Sequence, residues 1–370
     1  MVDDDAARHG APRRRRGAEP HRRRARRAAR RVPLRFLVWG AGAIGGTIGA
    51  HLARAGHDVT FVDRVGEHVA AINSSGLRIT GPIAEFATRM PAFSPDELDG
   101  TFEHVVLAVK AQDTDAATRS LAPHLAGDGY VVSAQNGLNE LVIKSVVGDE
   151  RTMGCFVNFG ADYLEPGVIQ YAGRGAVVVG EIDGRVTPRL VELHRALRDF
   201  EERAILTTNI WGYLWGKLAY GAQLFATALT NDSIADALAA PAYRGLYVEL
   251  AREVMRVARA RGITPEGFDG FDPSAFAPEA DAARSERSLD EMVAFNRRSA
   301  KTHSGVWRDI AVRKRRTEAD AQLGPIIGLG AEVGVPTPLV ARLIELMHDV
   351  EEGRRPQSRE TLDLLKGALV

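Results

Sequence analysis

Cysteine is almost absent from this chain of 370 residues: Cys155 is the only one. An intrachain disulfide framework is therefore excluded, as is a cysteine-rich metal site, and the pattern fits a reducing cytoplasm. No metal-binding set is read, and Cys155 is expected to be a small buried hydrophobe. The sequence also lacks net charge, with 48 basic and 48 acidic side chains. It has no internal repeat. It lacks an uninterrupted apolar run as well, since the most hydrophobic stretch, 34–53, is broken by Gly40, Gly42, Gly45, Gly46 and Gly49. Arginines followed by apolar residues imitate a secretory signal or a membrane span there, but the glycines point to a strand, a tight turn and a helix. No membrane partner is expected.

What is present is the composition of a globular protein, 45% hydrophobic and 26% charged, at a length of about two domains. The zero balance hides an asymmetry. Residues 1–32 carry twelve arginines against Asp3, Asp4, Asp5 and Glu19, about +8, which leaves about −8 on the rest. Nucleic acid is not an obvious partner for such a body. The extension lacks the apolar groups needed to offset ordering entropy and is expected to be disordered. It is open to three readings: a basic arm, a targeting sequence, or an upstream extension without function.

The run Leu34-Arg35-Phe36-Leu37-Val38-Trp39 reads as a strand and leads straight into Gly40-Ala41-Gly42-Ala43-Ile44-Gly45. In a dinucleotide fingerprint the first glycine permits the tight turn, the second lets a pyrophosphate approach the backbone, and the third lets the helix pack on the strand. The phosphates then sit at a helix N-terminus. A helical stretch through Arg54, a stop at Gly56 and a second strand, Val59-Thr60-Phe61-Val62, complete the context. Asp63 ends that strand near the offset at which an acidic side chain accepts hydrogen bonds from the adenosine ribose. It favours NADH, because a 2′-phosphate would meet a like charge, whereas Arg64 could clamp that phosphate or lie free at the surface.

A third strand, 104–109, ends at Lys110, and a fourth, 130–133, leads to Gln135-Asn136-Gly137. Ligands of open α/β sheets bind beyond the carboxyl ends of the strands, which aims Lys110 and Asn136 at the nicotinamide or the substrate. Short strands follow over 151–179 with a turn at Glu165-Pro166-Gly167, then a helix over 188–197 and a strand over 204–206. From Trp211 the spacing becomes helical, with Leu214, Trp215, Leu218, Leu224, Phe225 and Leu229 on one stripe. Lys217 lies among them, either as an exposed stem or as a partly buried ammonium. Further helices are expected over 243–261, 288–302, 322–333 and 338–352, with a loop over 268–282. The charged stretch 301–320 reads as a solvated basic loop, or as one whose Glu318 and Asp320 are the N-terminal anions of the next helix.

These residues, in this order, resemble the ketopantoate reductases (2-dehydropantoate 2-reductases) from about Leu34 to Glu352. Gly40 to Gly45 looks like the family's nucleotide loop, Val109-Lys110-Ala111 its lysine turn and Gln135-Asn136-Gly137 its cofactor-facing asparagine. Leu214-Trp215-Gly216-Lys217-Leu218 is similar to the segment carrying its catalytic lysine. Thr317-Glu318-Ala319-Asp320 is similar to its T-E-x-D segment, and Gly334-Val335-Pro336-Thr337-Pro338 to its terminal helix break. The fold implied is α/β: an N-terminal Rossmann-type dinucleotide-binding domain over 33–207, then an all-α domain over 208–354, with a tail over 355–370. The resemblance also implies NADPH or NADH as cofactor, a small 2-oxo acid as substrate and a homodimer through the helical domain. Lys217 is then the proton donor to the developing alkoxide, Glu318 grips a substrate hydroxyl, Lys110 serves cofactor or substrate, and Ser304 falls near the family's substrate-binding serine.

The departures are as informative. Four and eight residues after the lysine, where members that reduce ketopantoate usually carry asparagines, stand Gly221 and Phe225. That removes amide groups and adds a ring, so the pocket should be more apolar. Three functions are compared: reduction of ketopantoate in pantothenate synthesis, a related dehydrogenase of a more apolar 2-oxo or 2-hydroxy acid, and a dinucleotide-binding protein that turns nothing over.

Overall fold

The computed structural model describes residues 32–298 and 302–369; the arginine-rich extension, expected to be disordered, lies outside them. The first half runs β1 (Arg35–Trp39), α1 (Ala43–Arg54), β2 (Asp58–Val62), α2 (Gly66–Ser75), β3 (Leu77–Thr80), β4 (Phe86–Thr88), β5 (Ala92–Phe93), β6 (Phe102–Leu107), α3 (Thr114–Leu121), β7 (Leu125–Ser133), α4 (Asn139–Val147) and β8 (Thr152–Val157). It continues with β9 (Gly160–Glu165), β10 (Val168–Gly173), β11 (Val177–Glu181), α5 (Pro188–Phe200) and β12 (Ile205–Leu206). Eight strands form one sheet in the order β12-β11-β8-β7-β6-β1-β2-β5. All neighbours are parallel except β11 on β8. Phe36, Leu37, Val38 and Trp39 are all buried, as expected of a central strand covered on both faces.

Register builds the crevice. Trp39 lies opposite both Val62 and Leu107, and Leu107 opposite Ser133. The four segments that leave these strands, at Gly40, Asp63, Ala108 and Ala134, therefore emerge along one edge. A second sheet, β4-β3-β10-β9, was not expected as a unit. Its strands are three to six residues long, and β10 pairs parallel with β3 across ninety positions of chain, a pairing with no local signature. The expected turn at Gly167 joins β9 to β10 with φ +77°.

The second half is helical: α6 (Ile210–Thr227), α7 (Ile234–Ala239), α8 (Arg244–Ala260), α9 (Ala282–Arg298), α10 (Gly305–Ala311), α11 (Ala319–Glu332), α12 (Pro338–Glu351) and α13 (Arg359–Lys366). Leu246, Leu250, Val254 and Val257 place the buried stripe of α8 at intervals of three and four. The α12 N-terminus is capped across space, where Glu253 of α8 accepts the amides of Leu339 and Val340 at 2.9 Å each. The helical core includes Leu138, Phe156 and Val178, so it is continuous with the sheet's β8–β11 side. Three expectations change. The stretch 355–370 contains α13, which buries Leu362 and Leu365. The loop over 268–282 carries the buried rings of Phe268, Phe271 and Phe276. The basic loop holds α10, capped by Ser304. Among the described residues no helix is long and apolar enough to cross a membrane.

Candidate active site

Gly40 leaves β1 with φ +99°, and a Cβ there would stand 2.9 Å from the backbone of Ala108. At Gly45 it would lie 2.9 Å from the Ala108 side chain and closer still to the Gly40 carbonyl. Both glycines are thus required by close approach. Gly42 is different. A Cβ there meets nothing within 4 Å among the described residues, and the first turn of α1 carries no acidic side chain. The α1 N-terminus faces open space ready for an anion. His68 braces this loop from below: its Nδ1 accepts the Gly167 amide and its Nε2–H donates to the Ala41 carbonyl, each at 2.9 Å. Asp63 accepts the amides of Ala41 and Val65, also at 2.9 Å each. Arg64 is exposed and pairs with Asp113 at 3.0 Å.

Lys110 follows β6, which ends at Leu107, two residues short of the expected strand end. Its ammonium lies 2.5 Å from Glu318 Oε2 and 3.6 Å from buried Asp309, while Glu318 Oε1 accepts the Ala111 amide at 2.8 Å. Two residues singled out separately, 208 positions apart, thus form one ion pair between the halves. Glu318 stands at the α11 N-cap but makes no capping bond, and Asp320 turns to His348 instead at 2.8 Å. Asp309 also accepts from Arg313 at 3.0 Å and Arg315 at 2.8 Å.

Lys217 proves half-buried. Its ammonium donates to the Val157 carbonyl at the end of β8 and lies 5.1 Å from the Phe156 ring centroid. Behind it, burial pushes the Glu140 carboxyl up to about 8, against the lowering pull of its own amide, the Ser133 hydroxyl and Lys217. Cys155 is buried as expected, and burial raises its thiol to about 12.

One cavity of about 870 Å³ collects these groups. Its wall includes Gly40, Gly42, Ala43, Ile44, Asp63, Arg64, Lys110, Asn136, Lys217, Ser304 and Glu318; Ala41 and Gly45 lie behind it. Asn136 is exposed to it and accepts an Asn139 bond only through its backbone carbonyl, at 2.7 Å. Ser304 caps α10 by accepting the Trp307 amide at 3.1 Å. His303 is outside the wall, its ring tilted against that of Trp307 with centroids 4.0 Å apart. Gly221 lines the cavity with open space where a Cβ would stand, and Phe225 touches it from a largely buried position. Sequence reasoning missed Asn296, whose amide donates to the Tyr220 hydroxyl at 3.3 Å on the same wall. Tyr220 was within reach of spacing, one turn beyond Lys217; Asn296, on α9, left no signal.

Residues 36–184 match the model of ketopantoate reductase PanE/ApbA, and residues 209–351 match the model of its C-terminal region. The 2-dehydropantoate 2-reductase of Archaeoglobus fulgidus is 32% identical over 86% of this chain and 98% of its own length. That of Pyrococcus horikoshii is 28% identical over 83% and 94%. This chain belongs to the ketopantoate reductase family. It is accordingly an NAD(P)-dependent oxidoreductase acting on CH–OH groups. A PanE/ApbA-family ketopantoate reductase from Ralstonia eutropha superposes with a TM-score of 0.73 at 25% identity, over 87% of this chain and 99% of its own. D-mandelate dehydrogenase with NADH and anilino(oxo)acetate shares the fold, with a TM-score of 0.75 at 21% identity over 86% and 99%. The Rossmann-type half and the all-α half are thus the family architecture.

Proposed function

We propose that the cavity is the active site of a reductase of a 2-oxo acid, ketopantoate in the first instance. The observation that carries this is the meeting of the open glycine turn and Lys217 on one wall. A dinucleotide fits the first: Gly42 leaves the backbone bare, and α1 offers its amides without a competing carboxylate. In this reading Gly40 to Gly45, Asp63, Arg64, Lys110 and Asn136 hold the cofactor. When bound, it supplies a hydride to the carbonyl carbon. Lys217, aimed by the Val157 carbonyl, gives a proton to the carbonyl oxygen as it becomes an alkoxide. Glu318 and Ser304 hold substrate polar groups. Asp63 argues for NADH, since Arg64 must leave Asp113 before it can clamp a 2′-phosphate.

Lys217→Ala should lower turnover by roughly 10²–10⁴-fold while NADH and NADPH binding, followed by fluorescence, stays near normal. Near-normal turnover would sink the assignment.

A second reading keeps the chemistry and changes the substrate to a more apolar 2-oxo acid. It is favoured by Leu224, Phe225, Ile234 and Val306, apolar side chains that line the same cavity as Gly221. A panel of 2-oxo acids, assayed with each cofactor, decides: selectivity for ketopantoate over branched or aryl oxo acids supports the first reading and defeats the second.

A further inference from the structure

Tyr220 stands on α6 one turn beyond Lys217, and residues at that spacing are neighbours on one face of a helix. Both line the cavity, and so does Asn296, near the end of α9. The Tyr220 ring is seated against two others, its centroid 5.9 Å from that of Phe268 and 5.7 Å from that of Phe271. Those two are buried, and their backbones bond to each other, the Phe271 amide donating to the Phe268 carbonyl at 2.7 Å. The tyrosine therefore meets the cavity from a fixed seat.

Asn296 is buried, and two oxygens set the orientation of its amide. Its Nδ2 donates to the Met292 carbonyl, one turn earlier, at 2.8 Å and to the Tyr220 hydroxyl at 3.3 Å. A carbonyl can only accept, so the amide must turn its nitrogen towards Met292, and both hydrogens of that nitrogen are then used. This decides what each side chain has left. The Tyr220 oxygen accepts from Asn296, so its own proton is left for another acceptor, and a phenol keeps that proton near neutral pH. Asn296 keeps Oδ1, which accepts no hydrogen bond among the described residues.

One donor and one acceptor thus stand on adjacent side chains of a cavity that also presents Leu224, Phe225, Ile234 and Val306. Polar groups in such surroundings discriminate sharply, because a ligand that cannot pair with them leaves them unsatisfied. Elsewhere in the cavity the polar groups are already engaged: Glu318 takes the Lys110 ammonium and the Ala111 amide, and the Ser304 oxygen takes the Trp307 amide. A hydroxyl matches what Tyr220 and Asn296 have left, since it accepts one hydrogen bond and donates another.

We propose that Tyr220 and Asn296 are specificity-determining residues of this cavity, together reading a hydroxyl on the side chain of the substrate. The hydroxyl accepts from Tyr220 and donates to Asn296 Oδ1, while the reacting carbonyl lies one helical turn back, at Lys217. This rests on the reading of the cavity as that of a 2-oxo acid reductase.

The test compares two substrates, ketopantoate and its deoxy analogue, the same branched 2-oxo acid with hydrogen in place of the hydroxyl. The unsubstituted enzyme should favour ketopantoate in kcat/KM by about tenfold or more. Tyr220→Phe keeps the ring and should bring that ratio close to one, with the loss falling on ketopantoate. Asn296→Ala should lower the ratio in the same direction, and the double variant should lose little more than either single one, because the two act as a unit. A merely structural role would lower kcat/KM for both acids alike; that result, or a ratio unmoved by Tyr220→Phe, would overturn the proposal. So would an unsubstituted enzyme that prefers the deoxy acid, which needs no variant to fold. If neither acid is reduced with NADH or NADPH, the reductase reading fails and this proposal falls with it; if both are reduced without discrimination, only this proposal fails.

Discussion

One side chain in this protein, the fully buried Glu140, is set against stability. Glu140 ionises in the unfolded chain from its ordinary value of 4.5 but in the fold only near 8. The folded state therefore binds the extra proton between those values, and stability falls as pH rises from about 4.5 to about 8. At neutral pH the penalty is on the order of 3 kcal/mol. Glu140→Gln removes that slope, so urea denaturation at pH 5 and pH 8 should show the variant gaining stability relative to the parent only at the higher pH. An equal difference at both would mean the carboxyl is already ionised in the fold. The glutamate itself is visible in the sequence, but its burial is not: Leu138, Leu141 and Val142 around it give no sign of which face of the short α4 turns inward.

Elements were legible in proportion to how far their pattern is local. The β1-turn-α1-β2 unit could be read because strand formers, glycines and Asp63 lie within thirty positions. The long stripe of α6 could be read for the same reason. The sheet of β3, β4, β9 and β10 could not, because its strands are short and its central pairing joins distant segments. That sheet matters, since its Gly167 turn holds His68 and His68 holds the glycine turn at Ala41. His68→Phe keeps the ring volume and leaves the Ala41 carbonyl and Gly167 amide buried without partners, each worth about 1–3 kcal/mol. The dissociation constant for NADH should rise by about tenfold or more, with a smaller change in kcat at saturation. An unchanged dissociation constant, read by fluorescence titration, would show that the brace does not shape the loop.

At the scale of the whole molecule, the halves meet through charge. Lys110 and the Ala111 amide belong to the sheet half, Glu318, Asp309, Arg313 and Arg315 to the helical half, and Asp162 on β9 pairs with Arg308 and Arg313. Each charge could be seen in the sequence, where 301–320 read as a solvated loop; the pairing could not, because the partners lie more than 140 positions apart. Asp309→Asn would leave Lys110, Arg313 and Arg315 facing one another. Breaking so buried an ion pair is costly, reduced here because the cations are partly exposed, so a loss of about 2 kcal/mol is expected. Differential scanning calorimetry should show a lower Tm that recovers in part at high salt; a Tm unchanged from the parent would mean that the cluster adds nothing to the assembly of the halves.

Gly221 is a wall position where an added Cβ would meet nothing within 4 Å among the described residues. A side chain added there grows into the cavity rather than into the core, and the turn of α6 that bears it already carries Lys217 four residues earlier. A change in cavity shape could therefore be reached by single replacements at one site, with the fold left intact. That makes residue 221 the place to begin evolving this scaffold toward new hydroxy acids.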